Sequence, residues 1–213
     1  MSGRVTRTEL LESAIFELMK GVGTSIPAFV QAFDGDTQQA TLQPAIERVD
    51  INGKTYTLDP IIKCPVMFPG GDYCMEYQID KGCEGLIVVS QRCIDAWKDQ
   101  GGVAPNPVAR FHNMQDALFI PGFRSQANKL PDFQNNGIRM RDKLGENYVW
   151  LKNTGDIEMK GASFQGTFSG GFNVDSSAFT HNGTNVGEGH QHDDSGSYNV
   201  GGNQVVGTSG DPL

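Results

Sequence analysis

The sequence contains no long apolar run. No segment of the 213-residue chain approaches the length of about 20 apolar residues that a membrane-spanning helix needs. The N-terminus also lacks the short apolar core of a secretion signal. We therefore expect a soluble protein that is made and kept in the cytoplasm.

Positive charge is scarce. The chain has 17 Lys and Arg residues against 25 Asp and Glu residues, which gives a formal net charge of -8 and a pI near 4.9. Affinity for nucleic acid comes mainly from basic side chains that neutralise phosphates. The composition therefore argues against a nucleic-acid partner.

Close-spaced cysteine pairs are absent. Cys64, Cys74, Cys83 and Cys93 follow one another at intervals of 10, 9 and 10 residues, whereas structural zinc sites use pairs a few residues apart. Disulfides are not expected without a secretion signal. We interpret the cysteines as buried thiols, which pack as small apolar groups.

A helix is predicted at the N-terminus. Thr6 and Glu9 have the spacing of a capping box, and Gly21 supplies a stop signal. The apolar side chains at Leu11, Ile15, Leu18 and Val22 repeat on one face. This stripe needs a partner, either the rest of its own domain or another subunit.

Short strands separated by turns follow the helix. The stretches AFVQAF, ATLQPAIERVDI and KTYTLDPIIKCPVMF are divided by Asp34–Asp36 and by Asn52-Gly53, and Asn-Gly is a strong hairpin signal. DYCMEYQI and GLIVVS then predict a second hairpin, with GLIVVS buried on both faces. CIDAWKDQ predicts a short helix or turn, and ALFI a last strand that Pro121 and Gly122 end. The pattern indicates a barrel of about five strands.

The C-terminal stretch is poor in apolar residues. Fragments such as GIRMRD, NYVWLKN, GDIEMKG and AFTHNG are short, often alternating and separated by Gly or Asn. None of them can bury much surface as an isolated hairpin. The pairs Ile157 with Met159, Phe164 with Phe168, and Phe172 with Val174 predict thin apolar stripes without an opposing layer. Several identical chains wrapped around one axis would complete that core, and a disordered tail is the alternative.

The chain is therefore divided into four segments. We predict an N-terminal helix at 1–24, a barrel at 25–123, a linker at 124–136 and an assembled β-structure at 137–213. The fold class is all-β with one short N-terminal helix.

Two histidines stand close together in this C-terminal segment. In a strand, His190 and His192 would point to the same side. One chain offers two imidazole ligands, and three chains would offer six, an octahedral set. Imidazole suits Fe, Ni, Cu and Zn, and six-coordination argues against zinc, which prefers four ligands. The alternative is that the pair is simply solvated. Asp193 and Asp194 are extra ligands, outer-shell partners or solvated charges.

Several motifs together resemble a known family. The stretch AFTHNGTNVGEGHQH, a Gly-rich end and TSGDPL are similar to the C-terminus of the central spike proteins of contractile-tailed bacteriophage baseplates. SQRCIDAWKDQGG and ARFHNMQDALFIPGFRS resemble the end of the N-terminal barrel of the same family. One departure is the 21-residue segment that begins at Asp193, since family members end soon after the histidine pair.

The resemblance implies a homotrimer with an oligonucleotide/oligosaccharide-binding (OB) fold barrel that docks on the tail hub. It also implies an intertwined triangular β-helix and an iron ion on the threefold axis, held by His190 and His192. His181 is not expected to be a ligand, and its alternative role is in the turn at Asn182-Gly183. The implied function is to pierce the host outer membrane when the tail sheath contracts, as a non-enzymatic part of the virion.

The sequence leaves three alternative functions. A glycan-degrading enzyme would need two carboxylates across a cleft, for which the candidate pairs are Asp72 with Glu76 and Asp193 with Asp194. A nucleophile such as Cys64 or Cys93 beside His112 is the alternative. A receptor-binding spike would expose aromatic residues near its tip. A single-strand binder would use the barrel, against which the acidic composition argues.

Overall fold

The computed structural model describes residues 6–187 and the backbone of two later strands, 198–200 and 203–205. These residues form β-strands and loops with two short α-helices. The all-β prediction is therefore confirmed. Neither helix in the described part has the length and apolarity of a membrane span.

Helix α1 spans Arg7–Lys20. Thr6 and Glu9 form the predicted capping box, in which the Thr6 N–H donates to Glu9 Oε2 at 2.6 Å and the Glu9 N–H donates to Thr6 Oγ1 at 3.3 Å. The helix ends at Gly21, whose N–H donates to the carbonyl oxygens of the last turn. No residue of α1 is buried, so the helix stands apart from the barrel.

The barrel contains five long strands and one small hairpin. In the main sheet the strand order is β5-β2-β1-β6-β7, and all neighbouring pairs are antiparallel. The strands in chain order are β1 Ser25–Asp34, β2 Gln39–Pro44, β3 Arg48–Val49, β4 Thr55–Tyr56, β5 Ile61–Pro65, β6 Glu84–Val89 and β7 Ala117–Pro121.

The two edges of this sheet meet. Val66, which follows β5, forms a parallel bridge with Phe119 in β7, and the Met67 N–H donates to the Phe119 carbonyl at 2.9 Å. This contact curls the sheet toward a barrel. The core inside it consists of side chains from every long strand, with Phe119, Leu42, Ile87 and Val30 fully buried.

Turn chemistry explains the connections. Asp34 ends β1, and its carboxylate accepts hydrogen bonds from the backbone and hydroxyl of Thr37. The Asn52-Gly53 hairpin joins β3 to β4 as predicted, with Gly53 at φ +80°. The predicted strand KTYTLDPIIKCPVMF is split into β4 and β5.

Two details of the predicted second hairpin are wrong. DYCMEYQI, residues 72–79, forms no strand, because both edges of β6 are taken by β1 and β7. Within β6, Ile87 and Val89 are buried while Leu86 and Val88 are only half-buried. One face of β6 is therefore in the core, where two were expected.

The predicted CIDAWKDQ helix is α2, Asp95–Gln100, and the ALFI segment is β7. After β7, Ser125 and Asn128 donate hydrogen bonds to the Glu84 carboxylate. The first part of the predicted linker is thereby held against the start of β6.

Beyond the barrel, a three-stranded meander of order β10-β9-β8 is followed by two small hairpins. None of the residues from 121 to 187 is buried, and every residue of the apolar core lies between Ala28 and Phe119. The strands are β8 Gly137–Arg141, β9 Tyr148–Lys152, β10 Ile157–Lys160, β11 Thr180–His181, β12 Thr184–Asn185, β13 Tyr198–Val200 and β14 Asn203–Val205.

Candidate assembly surface

The β8–β10 meander has one face made only of aliphatic side chains and methionines. Alternate residues of each strand point to this face, and all six are exposed, from 37% for Val149 to 71% for Ile138. We call this set the apolar face: Ile138, Met140, Val149, Leu151, Ile157 and Met159.

Strand register joins these side chains into two rows. Ile138 lies opposite Leu151, which lies opposite Ile157. Met140, Val149 and Met159 form the parallel row two residues away. Directly opposed residues on one face are close enough to pack together, so the apolar face is one continuous patch.

The opposite face of the meander carries polar and aromatic side chains that cover one another. The Arg139 guanidinium lies 4.0 Å from the Tyr148 ring centroid and 5.3 Å from that of Trp150. Glu158 accepts hydrogen bonds from Tyr148 and Lys152. The hydrogen bond from Lys152, followed by that from Tyr148, lowers the pKa of the Glu158 carboxyl.

This arrangement reverses the usual pattern of a solvent-exposed sheet. A surface meander normally turns its polar face to water and its apolar face to a core. Here the polar face is partly hydrogen-bonded among the described residues, with Arg139 Nε and Trp150 Nε1 buried and without a hydrogen-bond partner. The apolar face has no covering layer among the described residues. Such a patch is typical of an interaction surface.

Exposed aromatic residues continue the apolar surface downstream. No strand forms between 161 and 179 in the described chain, and the Phe168 and Phe172 rings stack at 5.5 Å between centroids. The five large apolar residues of this segment are each at least 46% exposed: Phe164, Phe168, Phe172, Val174 and Phe179.

The sequence pattern predicts only part of this surface. It predicts a stripe of Ile157 and Met159 but not their partners on β8 and β9. The signal was the alternation in GIRMRD and NYVWLKN, which places Ile138, Met140 and Leu151 on one side of their strands.

The histidines of the predicted apex are described in part. His181 pairs with Thr184 across a two-residue hairpin, in which Asn182 and Gly183 both have positive φ, as a type I′ turn requires. His190 and His192, the predicted metal ligands, lie outside the described residues.

A second polar cluster lies in the barrel. Oxygen or sulfur atoms of Cys93, Asp95 and Asp116 lie within 4.8 Å of one another, a spacing that could hold a metal ion. The Arg110 guanidinium fills this position: its Nη2 is 3.1 Å from Cys93 Sγ, 2.6 Å from Asp95 Oδ2 and 2.7 Å from Asp116 Oδ1. The cluster is therefore an ion-pair network.

The cluster ties three parts of the barrel together. Asp116, immediately before β7, is fully buried, and it also accepts a hydrogen bond from the Ile94 N–H at the start of α2. Arg110 lowers the pKa of the Asp116 carboxyl. Hydrogen bonds from Lys98 and Arg110 lower the pKa of Asp95 to about 2. The sequence analysis did not predict this network.

The candidate nucleophiles have other partners. Cys64 is buried and donates a hydrogen bond to the Ala117 carbonyl at 3.2 Å, and burial raises the pKa of its thiol to about 12. His112 Nδ1 lies 3.2 Å from the Gly23 carbonyl oxygen. Cys64 and Cys93 are buried as predicted, whereas Cys83 is half-buried and Cys74 is exposed.

A carboxylate pair is exposed on the barrel. Asp72 and Glu76 lie in the irregular segment before β6, beside Tyr73, whose side chain is 95% exposed. The arrangement has no distinguishing feature that assigns it a chemical role.

A family model matches the barrel part of this chain. No curated protein matches this chain at a significant level. Residues 26–122 match the family model described as the phage protein Gp138 N-terminal domain. The matched segment coincides with the barrel, from β1 to the end of β7, and it indicates a virion-associated protein of the phage tail or baseplate.

Proposed function

We propose that this chain is the central spike of a contractile phage tail. In this proposal three copies dock on the tail hub through their barrels and form one β-structured spike from their C-terminal halves. His190 and His192 of the three chains hold an iron ion at the apex. The spike pierces the host outer membrane when the sheath contracts.

The observation that carries the proposal is the bare apolar face of the β8–β10 meander. Its six side chains are ordered in register yet exposed, and the same half of the chain contains no buried residue through 187. Burying a large apolar side chain contributes about 1.5–3 kcal/mol. Covering six partly exposed ones would therefore contribute on the order of 5 kcal/mol per chain.

Association of identical chains is the simplest way to cover this face. Copies related by a rotation axis present the same patch to that axis and can bury it in a shared core. Three copies follow from the resemblance to spike proteins, and the barrel match supports the phage context. Closed interchain strands would also leave no free sheet edge along the spike.

The donor set is suited to iron. Two imidazoles from each of three chains provide six nitrogen ligands, which matches octahedral coordination. A narrow end is the place where three chains would otherwise fray, and a shared ion would hold them together there. Iron supplies a structural crosslink in this role and no reaction.

Light scattering of the purified chain tests the proposal. The expected mass is about three times the 23.1 kDa of the monomer. A folded monomer would overturn the spike architecture, and a dimer would indicate that two apolar faces pack as a sandwich instead.

A further inference from the structure

Helix α1 is well formed but unsupported. Its capping box is complete, yet none of its 14 residues is buried. Isolated helices shorter than about 12–15 residues are marginal in water, and most helical stability in proteins comes from packing of an apolar face. The helix therefore needs a partner that the single chain does not supply within its described residues.

The base of α1 is fixed to the barrel. The Gly23 N–H donates to the His112 carbonyl at 3.0 Å, and the His112 ring nitrogen lies 3.2 Å from the Gly23 oxygen. A Cβ atom at Gly23 would come within 2.6 Å of the His112 oxygen, so the close contact requires glycine. The helix ends at Lys20, three residues before this anchor.

The exposed face of α1 has coiled-coil spacing. Leu11, Ile15, Leu18 and Val22 are separated by four, three and four residues, which are alternating d and a positions of a heptad. Their exposed fractions are 55%, 59%, 74% and 40%. Phe16 lies outside this stripe, under the Lys20 ammonium at 4.8 Å from the ring centroid.

Charges beside the stripe favour parallel packing of identical helices. With Leu11 at d, Arg7 is at g and Glu12 is at e. In parallel coiled coils a g residue faces the e residue five positions later in the neighbouring helix, so Arg7 of one copy meets Glu12 of the next. Within the described residues neither side chain forms an ion pair of its own.

We propose that the α1 helices of the three chains form one parallel bundle on the threefold axis, with Leu11, Ile15 and Leu18 as its core. This inference rests on the trimer of the proposed function. Helices that run along a rotation axis are parallel to their copies, as the Arg7 and Glu12 positions require. The bundle closes the N-terminal end of the trimer, and each helix extends from its Gly23 anchor.

Site-specific cross-linking tests the bundle. Ile15→Cys places a thiol in its core, and Ser13→Cys is the matched control on the opposite side of the same helix. Both are made in the full chain with Cys74→Ser, because Cys74 is the cysteine that is exposed, whereas Cys83 is half-buried and Cys64 and Cys93 are buried. The probe is a short bismaleimide, read by denaturing gel, and each variant's mass in solution is measured by light scattering.

The expected result is cross-linking at position 15 and little at position 13. The bismaleimide joins two thiols, so one of the three chains in each trimer stays unlinked. At most about two thirds of the chains can therefore form cross-linked pairs. Equal cross-linking at both positions, or at neither, in a variant of trimeric mass overturns the bundle and leaves the spike proposal intact. A monomeric mass for the Cys74→Ser parent overturns the proposed function itself.

Discussion

At the scale of single residues, Arg110 is the most heavily engaged side chain of the barrel. Its guanidinium joins two carboxylates and a thiol that come from the segment around α2 and from the residue before β7. Asp116 is fully buried, so its charge depends on this cation. A buried carboxylate that loses its partner retains the cost of desolvation.

Replacing Arg110 is expected to destabilise the barrel. Arg110→Met leaves Asp116 buried without a cation and should lower the free energy of unfolding by about 3 kcal/mol. Urea unfolding followed by circular dichroism measures the change. Arg48→Met, which removes an exposed arginine of β3, is the control and should change it little. Equal midpoints for both variants would show that the network does not stabilise the fold.

The same network predicts that the barrel loses stability as the pH falls. The pKa values of Asp95 and Asp116 are lower in the folded state than in the unfolded chain, near 3.9. The unfolded state therefore binds more protons as the pH falls, and stability is lost from about pH 4 down toward the folded pKa of Asp95, about 2. Urea unfolding at several pH values should show a shallower loss for Arg110→Met than for the wild type. If the free energy of unfolding falls equally with pH in both proteins, the network is not the cause of the acid dependence.

At the scale of secondary-structure elements, two units form their backbone hydrogen bonds but leave apolar side chains exposed among the described residues. The strands of the meander are fully paired in register, yet its apolar face is bare. Helix α1 has both ends capped and buries nothing. In the proposed trimer, contacts between chains cover both units.

The apolar face predicts a sharp difference between two neighbouring positions of β10. Met159→Glu places a carboxylate in the proposed shared core, where desolvation costs several kcal/mol per ion, and should dissociate the C-terminal halves. Lys160→Glu introduces the same residue on the other side of the strand and should leave the assembly unchanged. Light scattering over a dilution series measures both. A Met159→Glu trimer as stable as the control would rule out this face as the interface.

The α1 bundle predicts a charge-swap rescue. Arg7→Glu opposes two carboxylates between neighbouring helices and should reduce the Ile15→Cys cross-link, and Arg7→Glu with Glu12→Arg should restore it. An acidic residue in the first turn favours an isolated helix through its dipole, so lost helicity does not explain the reduction. If the yield of the Ile15→Cys cross-link is the same in both variants as in the parent, parallel pairing of the helices is contradicted.

At the scale of the whole molecule, the proposal combines a folded barrel with a C-terminal half that has no core of its own. The barrel buries its apolar residues within one chain, between Ala28 and Phe119. In this proposal the C-terminal half depends on its copies in the trimer. We therefore expect loss of the trimer to unfold the meander before the barrel, since only the barrel has an internal core.

The apex predicts a defined metal content. Elemental analysis of the trimer should find about one iron, which His190→Ala with His192→Ala should abolish while the trimer persists. His181→Ala is the matched control and should retain the metal, because His181 is a strand residue that pairs with Thr184 in the β11–β12 hairpin. Acidification below the ordinary His pKa of about 6.5 should release the ion, since neutral imidazole is the ligand. If the wild-type trimer contains no metal, the assignment of His190 and His192 as ligands is wrong, while the trimer itself is not contradicted.

Features that depend on a few adjacent residues were predictable from the sequence. The α1 boundaries follow from the Thr6 capping box and Gly21, and the Asn52-Gly53 turn occurs as predicted because Gly53 tolerates positive φ. The all-β class and the last barrel strand also followed from apolar periodicity. These signals depend on residues that are close together in the sequence, so they can be interpreted without the tertiary structure.

Other features were decided only by tertiary structure. DYCMEYQI has the composition of a strand but forms none, because β6 pairs with β1 on one side and with β7 on the other. Arg110, Asp95 and Asp116 are separated in sequence and meet only when α2 and β7 pack together. The continuity of the apolar face likewise depends on the register of three strands. In each case the cause is physical: pairing partners and charge neighbours are set by the path of the whole chain, which local propensity does not encode.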